Sequence, residues 1–253
     1  MTYNEIIDKA KMICYPALDA FDGYKMSIDI ETNLLMKKYF PQKEFDLMFG
    51  NGPIYRTWPA NNHHFVVPWQ QNNIVPAILR LFDIEFNFSD YDKCEYFAKN
   101  ESTGELYDMS YMSPKIGQNF SITDIETGYT IEQNSLFRAY DDYNCIEPYA
   151  NSYYHHFFWC THKCALIKNN ILSNGKSIII SCDSQMVPVI PILACYFKEI
   201  LHLDRRQDYD ISKYLEKDYD YVLIAHWCRS GRSLDGIRNK MFTNFQQECE
   251  NLY

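Results

Sequence analysis

Asp183-Ser184 sits between two apolar stretches of different character. Ser177-Ile178-Ile179-Ile180-Ser181-Cys182 precedes it, and Gln185-Met186-Val187-Pro188-Val189-Ile190-Pro191-Ile192-Leu193 follows. A β-branched run that stops at a small polar cluster and continues into helix-compatible sequence reads as a buried strand, a sharp turn and a helix. A serine in such a turn can be presented as a nucleophile. The free backbone N–H groups of the helix start can hold an oxyanion. The plainer alternative is that Asp183 or Ser184 only caps the helix.

Serine is a weak nucleophile without a base, so a histidine has to come within hydrogen-bond reach. The chain has seven histidines. His155 and His156 lie in the aromatic run Tyr153-Tyr154-His155-His156-Phe157-Phe158-Trp159 and read as core or interface. His202, inside Ile200-Leu201-His202-Leu203, reads as a packed or solvated strand residue. His226 closes the apolar run Tyr221-Val222-Leu223-Ile224-Ala225 and is a candidate base. So are His63 and His64, in the loop-forming stretch Trp58-Pro59-Ala60-Asn61-Asn62-His63-His64-Phe65, because loops commonly carry function. Cys160-Thr161-His162-Lys163-Cys164 lacks a second ligand pair at zinc-finger spacing, so no metal is expected.

Those residues need a scaffold, and 253 residues suffice for one α/β domain spanning 1–253. Segment 1–50 reads as an amino-terminal helix, Tyr3 to Cys14, followed by irregular structure. A second helix is expected over Asn73 to Phe82, with Pro76 in its first turn. The middle section, 84–150, reads as strands and long loops, Tyr129-Thr130-Ile131-Glu132 being strand-like. From 176 to 227 the pattern is strand, helix, strand, helix, strand. It predicts strands at 177–182, 199–203 and 220–226, helices at 186–197 and 210–217, and a terminal helix from about 234. Such alternation implies a mostly parallel sheet whose ligands sit beyond the carboxyl ends of its strands.

Composition excludes some functions. With 24 basic and 33 acidic residues the net charge is −9, and no basic run offers a phosphate footprint, so no nucleic-acid partner is expected. No stretch is long and apolar enough to span a bilayer. The amino terminus has no basic start followed by an apolar segment, and the nine cysteines are odd in number and scattered. Both features predict reduced thiols in a cytoplasmic protein. The 21 tyrosines suit contacts with sugars, although genome bias gives the same signal.

The segment from Lys176 to about Trp227 resembles the carboxyl-terminal half of SGNH-hydrolase-like proteins of the DHHW type, which are similar to the alginate O-acetyltransferase group. The resemblance rests on the strand before Asp183-Ser184 with Ile190-Pro191-Ile192-Leu193 after it. It rests also on Phe197-Lys198-Glu199-Ile200-Leu201-His202-Leu203-Asp204-Arg205-Arg206 and on Asp220-Tyr221-Val222-Leu223-Ile224-Ala225-His226. Asn62-His63-His64-Phe65 stands where that group has Asp-His-His-Trp. The resemblance covers roughly 51–82 and 176–227.

It implies a three-layer α/β sandwich around a central, mostly parallel sheet of SGNH or flavodoxin-like type, with irregular amino-terminal and middle insertions. It implies Ser184 as nucleophile, His64 as base and Asn62 in the orienting position, supported by Asp183, His63 and His226. Gln185, Arg205 and Arg206 are the candidates for substrate contact. The implied activity is that of an O-acetyltransferase or esterase acting on a carbohydrate. No bound cofactor is expected, the acyl donor being acetyl-CoA or an acyl ester. The departures are Asn62 in place of the triad carboxylate, Cys182 before Asp-Ser, and Val187 in place of an asparagine. In a serine triad, losing the carboxylate costs on the order of 10⁴-fold in turnover. The alternative is therefore a catalytically inactive relative that binds carbohydrate or acts as a scaffold.

Overall fold

The computed structural model describes residues 1–15, 38, 45–47, 70–95, 97–99, 104, 106–108, 110–115, 117–133, 164–182, 186, 189–204 and 212–227. Chain order begins with helix α1 (Tyr3–Lys9), then strands β1 (Ala10–Tyr15) and β2 (Phe45–Leu47). Helix α2 (Val75–Leu81) precedes β3 (Tyr91–Cys94), β4 (Phe97–Lys99), β5 (Leu106–Asp108) and β6 (Tyr111–Pro114). Then come β7 (Phe120–Asp124), β8 (Thr130–Gln133), β9 (Ala165–Asn169) and β10 (Lys176–Cys182). The short helix α3 (Ile190–Leu193), β11 (Phe197–Asp204) and β12 (Tyr221–Trp227) complete the described elements.

Eight strands form one sheet in the order β2-β1-β12-β10-β11-β9-β7-β8. From β2 to β11 every neighbouring pair is parallel. From β11 to β8 every pair is antiparallel. The sheet is therefore mixed, not mostly parallel. Its antiparallel half comes from the middle of the chain, where β7 and β8 are joined by a short turn that permits only antiparallel pairing. Asp124 closes that turn: its Oδ1 accepts from the Thr127 N–H at 2.9 Å and the Thr127 hydroxyl at 3.0 Å. Gly128 there has φ +72°, a conformation that favours glycine.

Three expected helices are shorter than the sequence suggests. The amino-terminal helix stops at Lys9, and Ala10–Tyr15 becomes β1, pairing with β12 on one side and β2 on the other. Six ladder positions beside a central strand outweigh the helical preference of a segment too short to be stable alone. The helix expected at 186–197 is only Ile190–Leu193, with Pro191 in its first turn. Phe197 belongs to β11, where its ring packs edge-on against Phe82 at 6.3 Å and against Tyr221 at 6.2 Å. In place of a helix at 210–217 there is a 3₁₀ turn at Ser212–Tyr214. The terminal helix expected from 234 lies outside the described residues. No described helix is long and apolar enough to cross a membrane.

The expected helix over 73–82 is present as α2, entered through one π-helical turn at Gln70–Ile74 and carrying Pro76 in its first turn. Gln71 is buried at that entry, where its Oε1 accepts from the Met112 N–H of β6 at 2.7 Å. The helix ends in a paired cap: Asp83 N–H donates to Arg80 C=O at 3.1 Å and Ile84 N–H to Leu79 C=O at 2.9 Å. This cap sets Asp83 at φ +57°, a left-handed conformation. Together α2, α3 and the β3–β6 pair cover one sheet face. Ile78 and Leu79 of α2 and Ile192 and Leu193 of α3 share a core cluster there with Ile178, Ile180, Ile200 and Leu223. Burying each such side chain contributes about 1.5–3 kcal/mol.

The amino ends of the parallel strands are clamped. Ser177 donates to Asp220 Oδ2 from its N–H at 2.9 Å and from its hydroxyl at 3.0 Å, and Lys176 Nζ reaches Oδ1 at 2.9 Å. Partial burial pushes the Asp220 carboxyl up, but these donors outweigh it and hold the group below its ordinary 3.8. A carboxyl depressed in the folded state contributes stability that is present above its unfolded value and lost as pH falls through its folded value. The melting temperature of the native protein should thus fall as the pH drops below about 4, and that of Asp220→Asn should fall less over the same window. Asp83→Gly should raise stability by about 0.5–1 kcal/mol in chemical denaturation, because glycine occupies φ +57° without a Cβ penalty.

Candidate functional site at the carboxyl edge of the parallel strands

Because β2, β1, β12, β10 and β11 run parallel, their carboxyl ends meet on one edge. Cys182 ends β10 and pairs with Asp204, which ends β11. Trp227 ends β12 opposite Tyr15, the end of β1. The chain leaves this edge from Cys182 into Asp183, Ser184 and Gln185, and from Asp204 into Arg205 and Arg206. Those five residues lie outside the described ones, as do Asn62, His63 and His64. His226 is one position short of the same edge, in β12, paired with Cys14 of β1. The described fold thus assembles on one edge the strand ends that lead to the predicted nucleophile and arginines, together with His226. The positions of Asn62, His63 and His64 relative to that edge are not part of it.

The edge is polar beneath its surface. His202 and Asp204 of β11 are each 1% exposed, and so is Asp124 of β7. Alternate residues of a strand share a face, so His202 and Asp204 lie on the face of Ile200, the side covered by α2 and α3. Register extends the row: His202 pairs with Ile180 on one side and Ala165 on the other, and Ala165 pairs with Asp124. The expectation that His202 is a strand residue packed in place agrees with its burial. The acidic members were not singled out by motif or spacing. One signal was available: Asp204 is a charged residue ending the apolar run Ile200-Leu201-His202-Leu203.

Cysteine offers no competing nucleophile at Cys195. That thiol follows α3, donates to Pro191 C=O at 3.4 Å, and is pushed by burial up to about 12. It stays protonated at neutral pH, and the thiolate is the reactive form. Cys164 is buried, and its Sγ accepts from the Asp204 N–H at 3.3 Å. Its role is therefore packing against the end of β11, while Cys160 and His162 lie outside the described residues. Among the described residues no group of three or more His, Cys, Asp or Glu is placed to hold a metal ion.

The chain matches no family model and no curated protein. Its fold is nevertheless shared with solved structures. Bacillus cereus PatB1 superposes with a TM-score of 0.63 at 17% identity, over 93% of this chain and 86% of PatB1. A DHHW family protein from Eubacterium siraeum superposes with a TM-score of 0.64 at 15% identity, over 95% of this chain and 84% of that one. PatB1 with a sulfonyl adduct gives 0.64 at 16%, over 94% and 87%. The chain therefore has the fold of these proteins, and identities this low establish the fold alone.

Alkylation checks the cysteine assignment. Iodoacetamide at pH 7.5 should leave Cys195 of the native protein unmodified in peptide mass analysis and modify it fully after denaturation.

Proposed function

We propose that the protein is a serine-dependent acyl-group enzyme, an O-acetyltransferase or esterase acting on a carbohydrate. One observation carries the reading. The buried strand β10 lies inside the parallel half of the sheet and ends at Cys182, so Asp183-Ser184 leaves from the edge where α/β sheets bind ligands. The shared fold adds support: PatB1 carries a sulfonyl adduct, and sulfonyl electrophiles capture activated nucleophiles. The DHHW family protein has the same fold, and the Asn62-His63-His64-Phe65 stretch fits the sequence resemblance.

In this reading Ser184 Oγ attacks the acyl carbonyl while His64 takes its proton. The Ser184 N–H donates to the oxyanion that forms. His64 then returns the proton to the leaving alcohol or thiol. The acyl group passes to a sugar hydroxyl in transfer, or to water in hydrolysis. Asp183 shapes the turn, and Gln185, Arg205 and Arg206 contact the substrate. The donor, acetyl-CoA or an acyl ester, is a substrate and not a resident cofactor. Asn62 and Val187 favour a second reading, in which the same edge binds carbohydrate without turning it over.

A fluorophosphonate probe and p-nitrophenyl acetate separate the two. The native protein should be labelled, and Ser184→Ala should abolish labelling. His64→Ala should lower turnover at least 100-fold, and His226→Ala less than tenfold. Labelling unchanged in Ser184→Ala would remove that serine from the chemistry, and no labelling of the native protein would favour binding alone.

A further inference from the structure

If Ser184 is the nucleophile and a histidine its base, the base lacks the carboxylate that would stabilise its cationic form, because Asn62 is neutral. The described structure holds two buried carboxylates on the face and edge where one is needed, Asp124 and Asp204. Register distinguishes them. Adjacent strands lie about 4.8 Å apart. Asp204 is therefore one strand spacing from Cys182, its direct partner, and Asp124 is three spacings, or about 14 Å, from β10. Local bonding distinguishes them too. Asp124 is committed to the β7–β8 turn through Thr127. Asp204 ends its strand where the sheet opens, so its charge lies beside the point at which the chain turns into Asp183-Ser184.

We infer that Asp204 is the carboxylate of the serine centre, a positioning residue that supplies the charge Asn62 lacks. The inference rests on the reading of Ser184 as nucleophile. Asp204 stays ionised throughout: the Ser184 proton moves to the histidine and then to the leaving group, and none passes to the carboxylate. The titratable groups around Asp204 are His202 on its own strand, Cys182 from β10, Asp124 along the row from β7, and Cys164, whose Sγ accepts the Asp204 N–H. A buried carboxylate among these groups is costly unless its charge is met by donors or a cation. An imidazolium formed during turnover meets it only while the reaction needs it.

Steady-state hydrolysis of p-nitrophenyl acetate across pH, with circular dichroism as a check on folding, tests the inference. Asp204→Asn should lower kcat on the order of 10²- to 10⁴-fold with KM changed less than threefold. The acid limb of its pH profile should move to lower pH, since removing the negative charge makes the imidazole less basic. Adding Asn62→Asp to Asp204→Asn should recover at least tenfold in kcat, which a loss of packing would not permit. Native kcat and an unmoved acid limb in Asp204→Asn would overturn the inference while Ser184→Ala still abolished labelling. Labelling that survived Ser184→Ala would overturn the underlying reading and the inference together. Should Asp204→Asn not fold, Asn62→Asp alone decides. A gain below tenfold supports a centre that already has its charge, and a larger gain shows that it lacks one.

Discussion

The register of the parallel ladder β1-β12-β10-β11 is the constraint on which the rest of the molecule depends. These strands are buried, so their N–H and C=O groups must find each other. A slip of one residue would exchange Ile178, Ile180 and Cys182 for Ser177, Ile179 and Ser181 on the face packed by α2 and α3. The double hydrogen bond from Ser177 to Asp220 sets where β10 and β12 begin relative to one another. Because strand geometry is regular, fixing one end fixes the other. The pairing of Cys182 with Asp204 and of Tyr15 with Trp227 follows from it.

The two ends of the parallel half are built differently. At the amino end, charges are paired at or near the surface: Lys176 with Asp220, and Lys217 with Glu199. Lys217 also lies over the Tyr219 ring at 5.1 Å, and Lys9 Nζ donates to Tyr219 C=O at 2.7 Å. At the carboxyl end, Asp124, His202 and Asp204 are all buried. Solvated ion pairs contribute modestly to stability, whereas buried ionisable groups are expensive and concentrate where charge is used. Tethering thus belongs to one end of the sheet and chemistry to the other.

The sequence revealed the strands that bury both faces and misjudged the segments whose state depends on neighbours. Ser177–Cys182, Glu199–Leu203 and Asp220–Ala225 are continuous apolar or β-branched runs, and each falls in a strand within two residues of the expected bounds. Ala10–Tyr15 carries no such mark, and its strand state comes from partners 30 to more than 200 positions away. The prolines at 188 and 191 argued against a long helix after Ser184, and the weight given to the apolar run hid them. Asp183-Ser184 was legible because strand-then-turn chemistry is local. Asp204 was not, because its meaning comes from standing opposite Cys182, and pairing between strands leaves no trace in either strand alone.

The place of β1 has a consequence for how the chain comes to be folded. Residues 10–15 are synthesised early, yet their longest ladder is with residues 222–227. A ribosome adding about 5–20 residues per second therefore exposes β1 for on the order of ten seconds or more before β12 exists. Contacts so distant in sequence raise contact order and slow the search for the native arrangement. Until then an apolar strand is left without its main neighbour, open to pairing with another molecule, and chaperone protection of the nascent chain becomes a requirement set by topology.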